Sequence, residues 1–289
     1  MWTWIGALGM AMLAVAGLLA FDAASETSIM HSELNVSRLE RPKRPGVRRI
    51  VVLGSSKTEC AFAYDADMEA RFRRAGQSVA FTRIAMYGAP PHQMAYSFDA
   101  VLKSRPDLVL LESDVLLLEP GGYNVRDLAI EPSWQSRSRA ELKALIGLKS
   151  HTPNDAAAAA PCDASISQRP LPTVSQFAVA LRKRKLSTPA ERRAYLDFMT
   201  KLRAQGAEVG LIDIPLAPEI ERVIPARLVH DRAVLNDRLI AERGLIHMTP
   251  GLLPKPDYVD WGHLNAGGRD RFTGWFITEA AKRLRPAHA

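Results

Sequence analysis

The chain has 289 residues, of which 47% are hydrophobic and 24% are charged, so it can bury a substantial core and one main domain is expected. Its net charge is +7 and its pI is near 9.6, yet it has no zinc knuckle, RNA-binding aromatic signature or helix-turn-helix motif. We therefore predict a basic surface beside a membrane and no nucleic-acid partner. Two cysteines, Cys60 and Cys162, are too few for a disulfide scaffold and wrongly spaced for zinc. They could pair in an oxidising compartment, or Cys60 could be a small buried residue.

The first predicted element is a membrane anchor at residues 1–21. Residues 2–21 carry no charge, and about 20 apolar residues form a helix long enough to cross the hydrocarbon layer. A cleaved signal peptide is the alternative, but no Lys or Arg precedes the segment and no clear A-x-A site follows it. The polar residues 22–48 are predicted to link this anchor to a domain at residues 49–289.

Charge leaves the orientation of the anchor open. The positive-inside rule would place the domain in the cytoplasm, because basic residues follow the apolar segment and none precedes it. These residues begin well past Phe21, however, and Asp22, Glu26 and Glu33 come first. The basic residues are Arg38, Arg41, Lys43, Arg44, Arg48 and Arg49.

Within the domain, apolar strand patterns alternate with helical patterns. Strands are predicted at residues 49–54, 78–85, 107–111, 208–214 and 244–248. Helices are predicted at residues 59–76, 91–104, 189–205, 229–243 and 267–284. Continuous aliphatic runs such as Ile50-Val51-Val52-Leu53 are typical of parallel strands buried on both faces. The fold class is therefore α/β, a three-layer α/β/α sandwich with a parallel sheet, whose sites form at the carboxyl ends of the strands.

The alternation is lost at about residues 119–172, between the third and fourth strands. Pro120-Gly121-Gly122, Ala156 to Ala160 and Pro170-Leu171-Pro172 indicate a mobile insertion. A connection of this length is usually functional or disordered. We expect a lid or a surface that meets a partner.

Three residues predict a nucleophilic site. Ser56 lies at the turn after the first strand, and Asp260 stands three residues before His263 near the C-terminus. In such a set the imidazole takes a proton from the serine and the carboxylate orients the imidazole. The alternatives are that Ser56 is a helix N-cap and that the Asp-x-x-His tetrad is a capped turn.

Other kinds of site do not fit the sequence. The stretch around Lys57 lacks both glycines of a phosphate-binding loop, and no dinucleotide-binding glycine fingerprint follows the first strand. The remaining histidines do not have metal-ligand spacing. We predict no metal and no cofactor.

At these residues the chain resembles the SGNH, or GDSL-type, hydrolase superfamily. Gly54-Ser55-Ser56 stands where that family has its serine block, and Asp260, His263, Asn265 and Gly268 match its last block. The resemblance implies a flavodoxin-like sheet and a Ser-His-Asp triad. It also implies oxyanion donors at Gly88 and at Ser113, where the family has Asn in a Gly-x-Asn-Asp block; here the stretch reads Leu111-Glu112-Ser113-Asp114.

The altered Asn block and the predicted anchor resemble one branch of the family. Its members work in the bacterial envelope beside membrane-bound O-acyltransferases that acetylate alginate or cellulose or add D-alanine to teichoic acids. The resemblance implies acyl-ester transfer or hydrolysis on an acylated envelope carbohydrate, with such an acyltransferase as a possible partner. It places the domain outside the cytoplasm, on a single-pass anchor in the inner membrane. A catalytically silent module that binds polysaccharide or the acyltransferase is the alternative.

Overall fold

The computed structural model describes residues 36–86, 94–95, 97–119 and 174–284. The predicted anchor at residues 1–21 and nearly all of the insertion at 119–172 lie outside these residues. Within the described ranges, no helix is long and apolar enough to span a bilayer. The anchor stays a prediction.

The described strands form one parallel sheet with the order β2-β1-β3-β4-β5. The chain leaves β1 toward β2 on one side and returns to β3 on the other, so the order switches between β1 and β3. This is the flavodoxin-like arrangement, and the predicted fold class is confirmed. The strands are β1 (Arg48–Ser55), β2 (Val79–Met86), β3 (Leu108–Glu112), β4 (Glu208–Ile212) and β5 (Ile246–Met248).

The helices predicted at residues 189–205, 229–243 and 267–284 are confirmed. The short helices at residues 113–117 and 218–221 were not predicted, and the helix predicted after β1 is broken in two. The helix predicted at residues 59–76 is interrupted at Phe62, where the backbone is extended at φ −106° and ψ 143°. Phe62 turns into the core and packs edge-on against Phe272 and Phe276, with ring centroids 5.2 and 4.9 Å away. The helices are α1 (Ser56–Ala61), α2 (Asp65–Arg74), α3 (Phe98–Lys103), α4 (Ser113–Leu117), α5 (Val174–Arg182), α6 (Pro189–Ala204), α7 (Pro218–Glu221), α8 (Ala226–Arg243) and α9 (Ala266–Leu284).

Each face of the sheet carries its own hydrophobic cluster. Side chains alternate along a strand, so Val51 and Leu53 face one cluster while Ile50 and Val52 face the other. The first cluster includes residues of α3, α6 and α8, and the second includes residues of α1, α2 and α9. All four β1 side chains are fully buried, as a central strand covered on both faces requires.

The end of the predicted linker, residues 36–48, is packed onto the domain. Leu39 is buried and belongs to the first cluster. Arg49 lies buried at the start of β1, and its guanidinium donates to the carbonyl oxygens of Arg41 at 2.7 Å and Ser104 at 2.6 Å. These contacts make the segment part of the folded unit.

Asp65, in the first turn of α2, couples the stability of this region to pH. It is buried and accepts a hydrogen bond of 2.5 Å from Arg38. Burial raises the pKa of Asp65 to about 6, although the charges of Arg83 and Arg38 lower it. An unfolded Asp has a pKa of about 4, so between about pH 4 and 6 the unfolded chain releases a proton that the folded chain keeps. This group therefore lowers the free energy of unfolding by roughly 3 kcal/mol as the pH rises through that window.

We expect Asp65→Asn to remove that loss, because the amide stays neutral at every pH. Urea unfolding at pH 4 and pH 7 measures the effect: wild type should lose roughly 2 to 3 kcal/mol more than the variant between the two. Asp67→Asn, an exposed position of the same helix, is the control and should follow wild type. Equal pH dependence of wild type and Asp65→Asn would contradict the burial argument.

Candidate active site

The turn after β1 separates two serines with different tasks. Ser55 is the N-cap of α1, and its Oγ accepts a hydrogen bond from the backbone N–H of Lys57 at 3.2 Å. Ser56 is the next residue and begins the helix. Because Ser55 is the cap, the hydroxyl of Ser56 is not needed for that purpose, and the alternative of a Ser56 cap is wrong.

The hydroxyl of Ser56 meets His263 instead. Its Oγ lies 2.8 Å from His263 Nε2, although the two residues are 207 positions apart. On the other side of the ring, His263 Nδ1 lies 2.9 and 2.8 Å from the two carboxylate oxygens of Asp260. The three predicted residues therefore form one continuous hydrogen-bonded chain.

The carboxylate of Asp260 decides how protons are arranged along this chain. Burial alone would raise the pKa of Asp260, but the hydrogen bond and charge of His263 and two backbone N–H groups lower it below its ordinary value. An ionised carboxylate only accepts, so Nδ1 of His263 must carry a hydrogen. In the neutral ring Nε2 is then the acceptor, and Ser56 donates its O–H to it.

The loop before α9 holds Asp260 and His263 in this position. Asp260 Oδ1 also accepts the backbone N–H groups of Gly262 and His263, each at 2.8 Å, which closes a tight turn. The N–H of Val259 donates to the carbonyl of His263 at 3.0 Å. Both residues remain partly open, with 19% of each side chain exposed. The imidazole is thus fixed in orientation while staying accessible.

Two further residues of the last sequence block are structural. Asn265 Oδ1 accepts the N–H of Gly268 at 3.0 Å, and its amide donates to the carbonyl of Pro256 at 2.7 Å. Gly268 lies against the backbone of Asp257, where an added Cβ would come within 2.2 Å of the carbonyl oxygen. These contacts join the Asp260–His263 loop to α9.

A buried glutamate, Glu112, lies beneath the Ser55–Ser56 turn, and no role was predicted for it. It ends β3, is 1% exposed, and accepts the backbone N–H of Ser55 at 2.7 Å. The Ser55 hydroxyl lies 2.9 and 2.8 Å from its two carboxylate oxygens, and Thr58 Oγ1 lies 2.8 Å from Oε2. A charged residue at the end of the apolar run Leu108–Leu111 was the signal available in the sequence.

From this glutamate an ionic network extends along the carboxyl edge of the sheet. Lys57 Nζ lies 3.2 Å from Glu112 Oε1 and also donates to Asp114. Arg232 of α8 joins Asp114 and Asp213 at 3.0 and 3.1 Å. Burial would raise the pKa of Asp114, but Lys57 and Arg232 hold it well below its usual range. Asp114 is therefore ionised at neutral pH.

Of the two predicted oxyanion donors, the structure describes only Ser113. Gly88 lies outside the described residues. Ser113 begins α4 at the carboxyl end of β3 and is completely buried. Its hydroxyl oxygen is buried and makes no hydrogen bond with the described residues. Both donor roles stay predictions.

Among residues 36–86, 94–95, 97–119 and 174–284, no group of three or more His, Cys, Asp or Glu side chains could hold a metal ion.

No protein-family model matches the chain, and no curated protein matches it. Among solved structures, a GDSL-like lipase from Bacteroides thetaiotaomicron is 13% identical, with a TM-score of 0.43 over 87% of this chain and 96% of its own. The psychrotrophic esterase EstA from Pseudoalteromonas sp. is 11% identical, with a TM-score of 0.40 over 83% of this chain and 100% of its own.

A carbohydrate esterase of family two from Clostridium thermocellum, solved in complex with cellohexaose, is 11% identical, with a TM-score of 0.40 over 84% of this chain and 66% of its own. At 11–13% identity and TM-scores of at most 0.43, these likenesses carry no assignment of activity or substrate.

Gly268 is packed so closely against Asp257 that a methyl group does not fit there. We expect Gly268→Ala to lower the free energy of unfolding by about 1 to 3 kcal/mol, because the new methyl group meets a backbone oxygen that cannot move freely. Gly274→Ala in the same helix is the matched control, since nothing lies within 4 Å of its Cβ position. That change should stabilise the protein by about 0.5 to 1 kcal/mol. Urea unfolding of both variants measures the difference, and equal stabilities would contradict the close contact.

Proposed function

We propose that the protein is an SGNH-type serine enzyme that cleaves or transfers acyl esters on a carbohydrate of the cell envelope. The observation that carries the proposal is the hydrogen-bonded chain from Ser56 through His263 to Asp260. It lies at the carboxyl end of β1, beside the point where the strand order switches. Open α/β sheets bind their ligands at such a point.

The chemistry follows from the proton arrangement of that chain. Ser56 Oγ attacks the ester carbonyl carbon as His263 Nε2 takes its proton, and a tetrahedral oxyanion forms. The imidazolium is stabilised by Asp260 and then gives the proton to the departing alcohol oxygen. The acyl group is left as an ester on Ser56. Water or a sugar hydroxyl then attacks this ester, with His263 again as the base, which gives hydrolysis or transfer.

The developing oxyanion needs donors close to Ser56. Ser56 is the first residue of α1, and the first N–H groups of a helix have no acceptor within the helix. The backbone N–H of Ser56 can therefore donate to the oxyanion. Gly88 and Ser113 are the additional donors that the family resemblance implies. Removal of one such donor costs about 3 to 4 kcal/mol of transition-state stabilisation. A catalytically silent carbohydrate-binding module is the rival function, and the replacement of the Asn block by Glu112-Ser113 favours it.

The test is turnover of an activated acetyl ester by the full chain in detergent, with mass spectrometry of Ser56. We expect wild type to release the alcohol and to carry an acetyl group on Ser56 during turnover. Ser56→Ala should lose kcat by about 10³-fold or more and form no adduct. Asp260→Asn should lose about 10³- to 10⁴-fold, because the amide favours the wrong tautomer of His263.

Asp257→Asn is the matched control for these variants. Asp257 is a buried carboxylate of the same loop that pairs with Arg271 at 3.2 Å, and it is not in the Ser56 chain. Its replacement should leave kcat within about threefold, since it touches no reacting group. If wild type shows no turnover and no adduct, and Ser56→Ala behaves in the same way, the enzyme hypothesis is rejected. The carbohydrate-binding module then remains.

We propose further that the domain faces the periplasm or the cell exterior, on a single-pass anchor at residues 1–21. A bonded state of Cys60 supports this orientation, because the residue takes part in a disulfide and such bonds persist in oxidising compartments. Cys162 is the other cysteine of the chain and lies outside the described residues. The resemblance to envelope acyltransferase partners points the same way and names the acceptor class.

The orientation is tested with reporters fused after Ala289. We expect alkaline phosphatase to be active there and green fluorescent protein to be dark, because each requires its own compartment. In the same cells, Cys60 should resist alkylation by a maleimide until the protein is reduced. An inactive phosphatase together with thiols that react without reduction would place the domain in the cytoplasm.

A further inference from the structure

Glu112 is a buried carboxylate that contacts the residues on both sides of Ser56. On one side it accepts the backbone N–H of Ser55 at 2.7 Å and the Ser55 hydroxyl at 2.8 Å. On the other side it accepts the hydroxyl of Thr58 at 2.8 Å. Lys57 Nζ lies 3.2 Å from its second oxygen. The side chain of Glu112, at the end of β3, therefore binds the turn between β1 and α1 at several points.

Because Glu112 is buried, its hydrogen bonds hold the turn in one position. A carboxylate removed from water is costly unless donors satisfy its oxygens, so the turn cannot drift away from Glu112 without exposing an unpaired charge. Lys57 supplies the compensating cation. Burial would lower the pKa of Lys57, but the charges of Asp114 and Glu112 outweigh it and raise the pKa. The ammonium thus stays charged beside the carboxylate.

The serine block itself is shaped around this carboxylate. A Cβ on Gly54 would come within 2.8 Å of Glu112 Oε2 and 1.7 Å of Thr58 Oγ1. Only glycine lets the end of β1 approach so closely. The cap formed by Ser55, whose hydroxyl both donates to Glu112 and accepts from the N–H of Lys57, orients the first turn of α1.

We propose that Glu112 is the positioning residue of the nucleophile. It holds Ser55 and Thr58 so that the hydroxyl of Ser56, between them, stays 2.8 Å from His263 Nε2. Glu112 itself touches no reacting atom in this arrangement and acts through the backbone. The proposal rests on the proposed function of Ser56 as the nucleophile. A displacement of about 1 Å in such a group can cost about 10²-fold in rate.

The test compares Glu112→Leu and Glu112→Gln with Glu59→Gln in the full chain. Glu59 is a matched control: it is a buried carboxylate of α1, the helix that begins at Ser56, and it pairs with Arg83 at 2.8 Å. Arg83 also donates to the carbonyl oxygens of Glu59 and Phe62, so α1 stays held when that carboxylate is lost. For each variant, kcat, KM, the rate of Ser56 labelling by a fluorophosphonate, and the thermal midpoint are measured.

We expect Glu112→Leu to lower kcat and the labelling rate by about 10²-fold with KM within about twofold of wild type. Glu112→Gln keeps an oxygen that can accept from Ser55 and should recover about tenfold of that loss. Glu59→Gln should keep kcat within about threefold even where its thermal midpoint falls. If Glu112→Leu does not fold, Glu112→Gln decides by the same split of kcat from KM.

The proposal is overturned if folded Glu112→Gln and Glu112→Leu keep the wild-type kcat and labelling rate. It is also overturned if Glu59→Gln loses as much activity as they do, or if KM alone rises. Failure of the proposed function looks different: wild type itself then shows no turnover and no label, and equals Ser56→Ala. That result removes both proposals together.

Discussion

The candidate site depends on the parallel pairing of β1 with β3. Parallel strands end at the same edge of a sheet, so Ser55 and Glu112, which end these two strands, come into hydrogen-bond contact. The strand order also switches at this pair. The turn that carries Ser56, the glutamate beneath it and the lysine that balances the glutamate all follow from this one pairing.

Two carboxylates near Ser56 have different environments and therefore different tasks. Asp260 is partly exposed and accepts from a titratable ring, so it can stabilise a charge that appears during a reaction. Glu112 is fully enclosed and accepts from groups that stay as they are, so it can only hold structure. Their burial and their partners, rather than their residue type, separate the role proposed for Asp260, which orients His263, from the role proposed for Glu112, which positions Ser56.

The block Leu111-Glu112-Ser113-Asp114 departs from the Asn-containing block of the family it resembles, and the structure shows bonded partners for two of its polar residues. Glu112 binds the serine turn, and Asp114 pairs with Lys57 and Arg232. Ser113 is completely buried at the start of α4. A network of this kind orders the carboxyl edge of β1, β3 and β4. Any oxyanion donation at this edge must be compatible with those bonds.

Local patterns in the sequence were enough for the fold and for the three principal residues. The aliphatic runs of β1 and β3 predict strands buried on both faces, and the Asp260–His263 spacing is short enough to define a turn by itself. The roles of Ser55 and Glu112 could not be predicted in the same way. Each depends on a partner far away along the chain: Ser55 and Glu112, for example, are 57 positions apart.

By itself, then, the sequence determined the parallel α/β architecture and the presence of a serine, an imidazole and a carboxylate suited to one another, because strand burial and tight turns are written in short stretches. Tertiary structure alone decided that Ser55 rather than Ser56 caps α1, that Phe62 ends the helix by entering the core, and that Glu112 lies under the nucleophile turn. These outcomes depend on strand order and register, which bring distant residues within hydrogen-bond reach and which no short segment specifies.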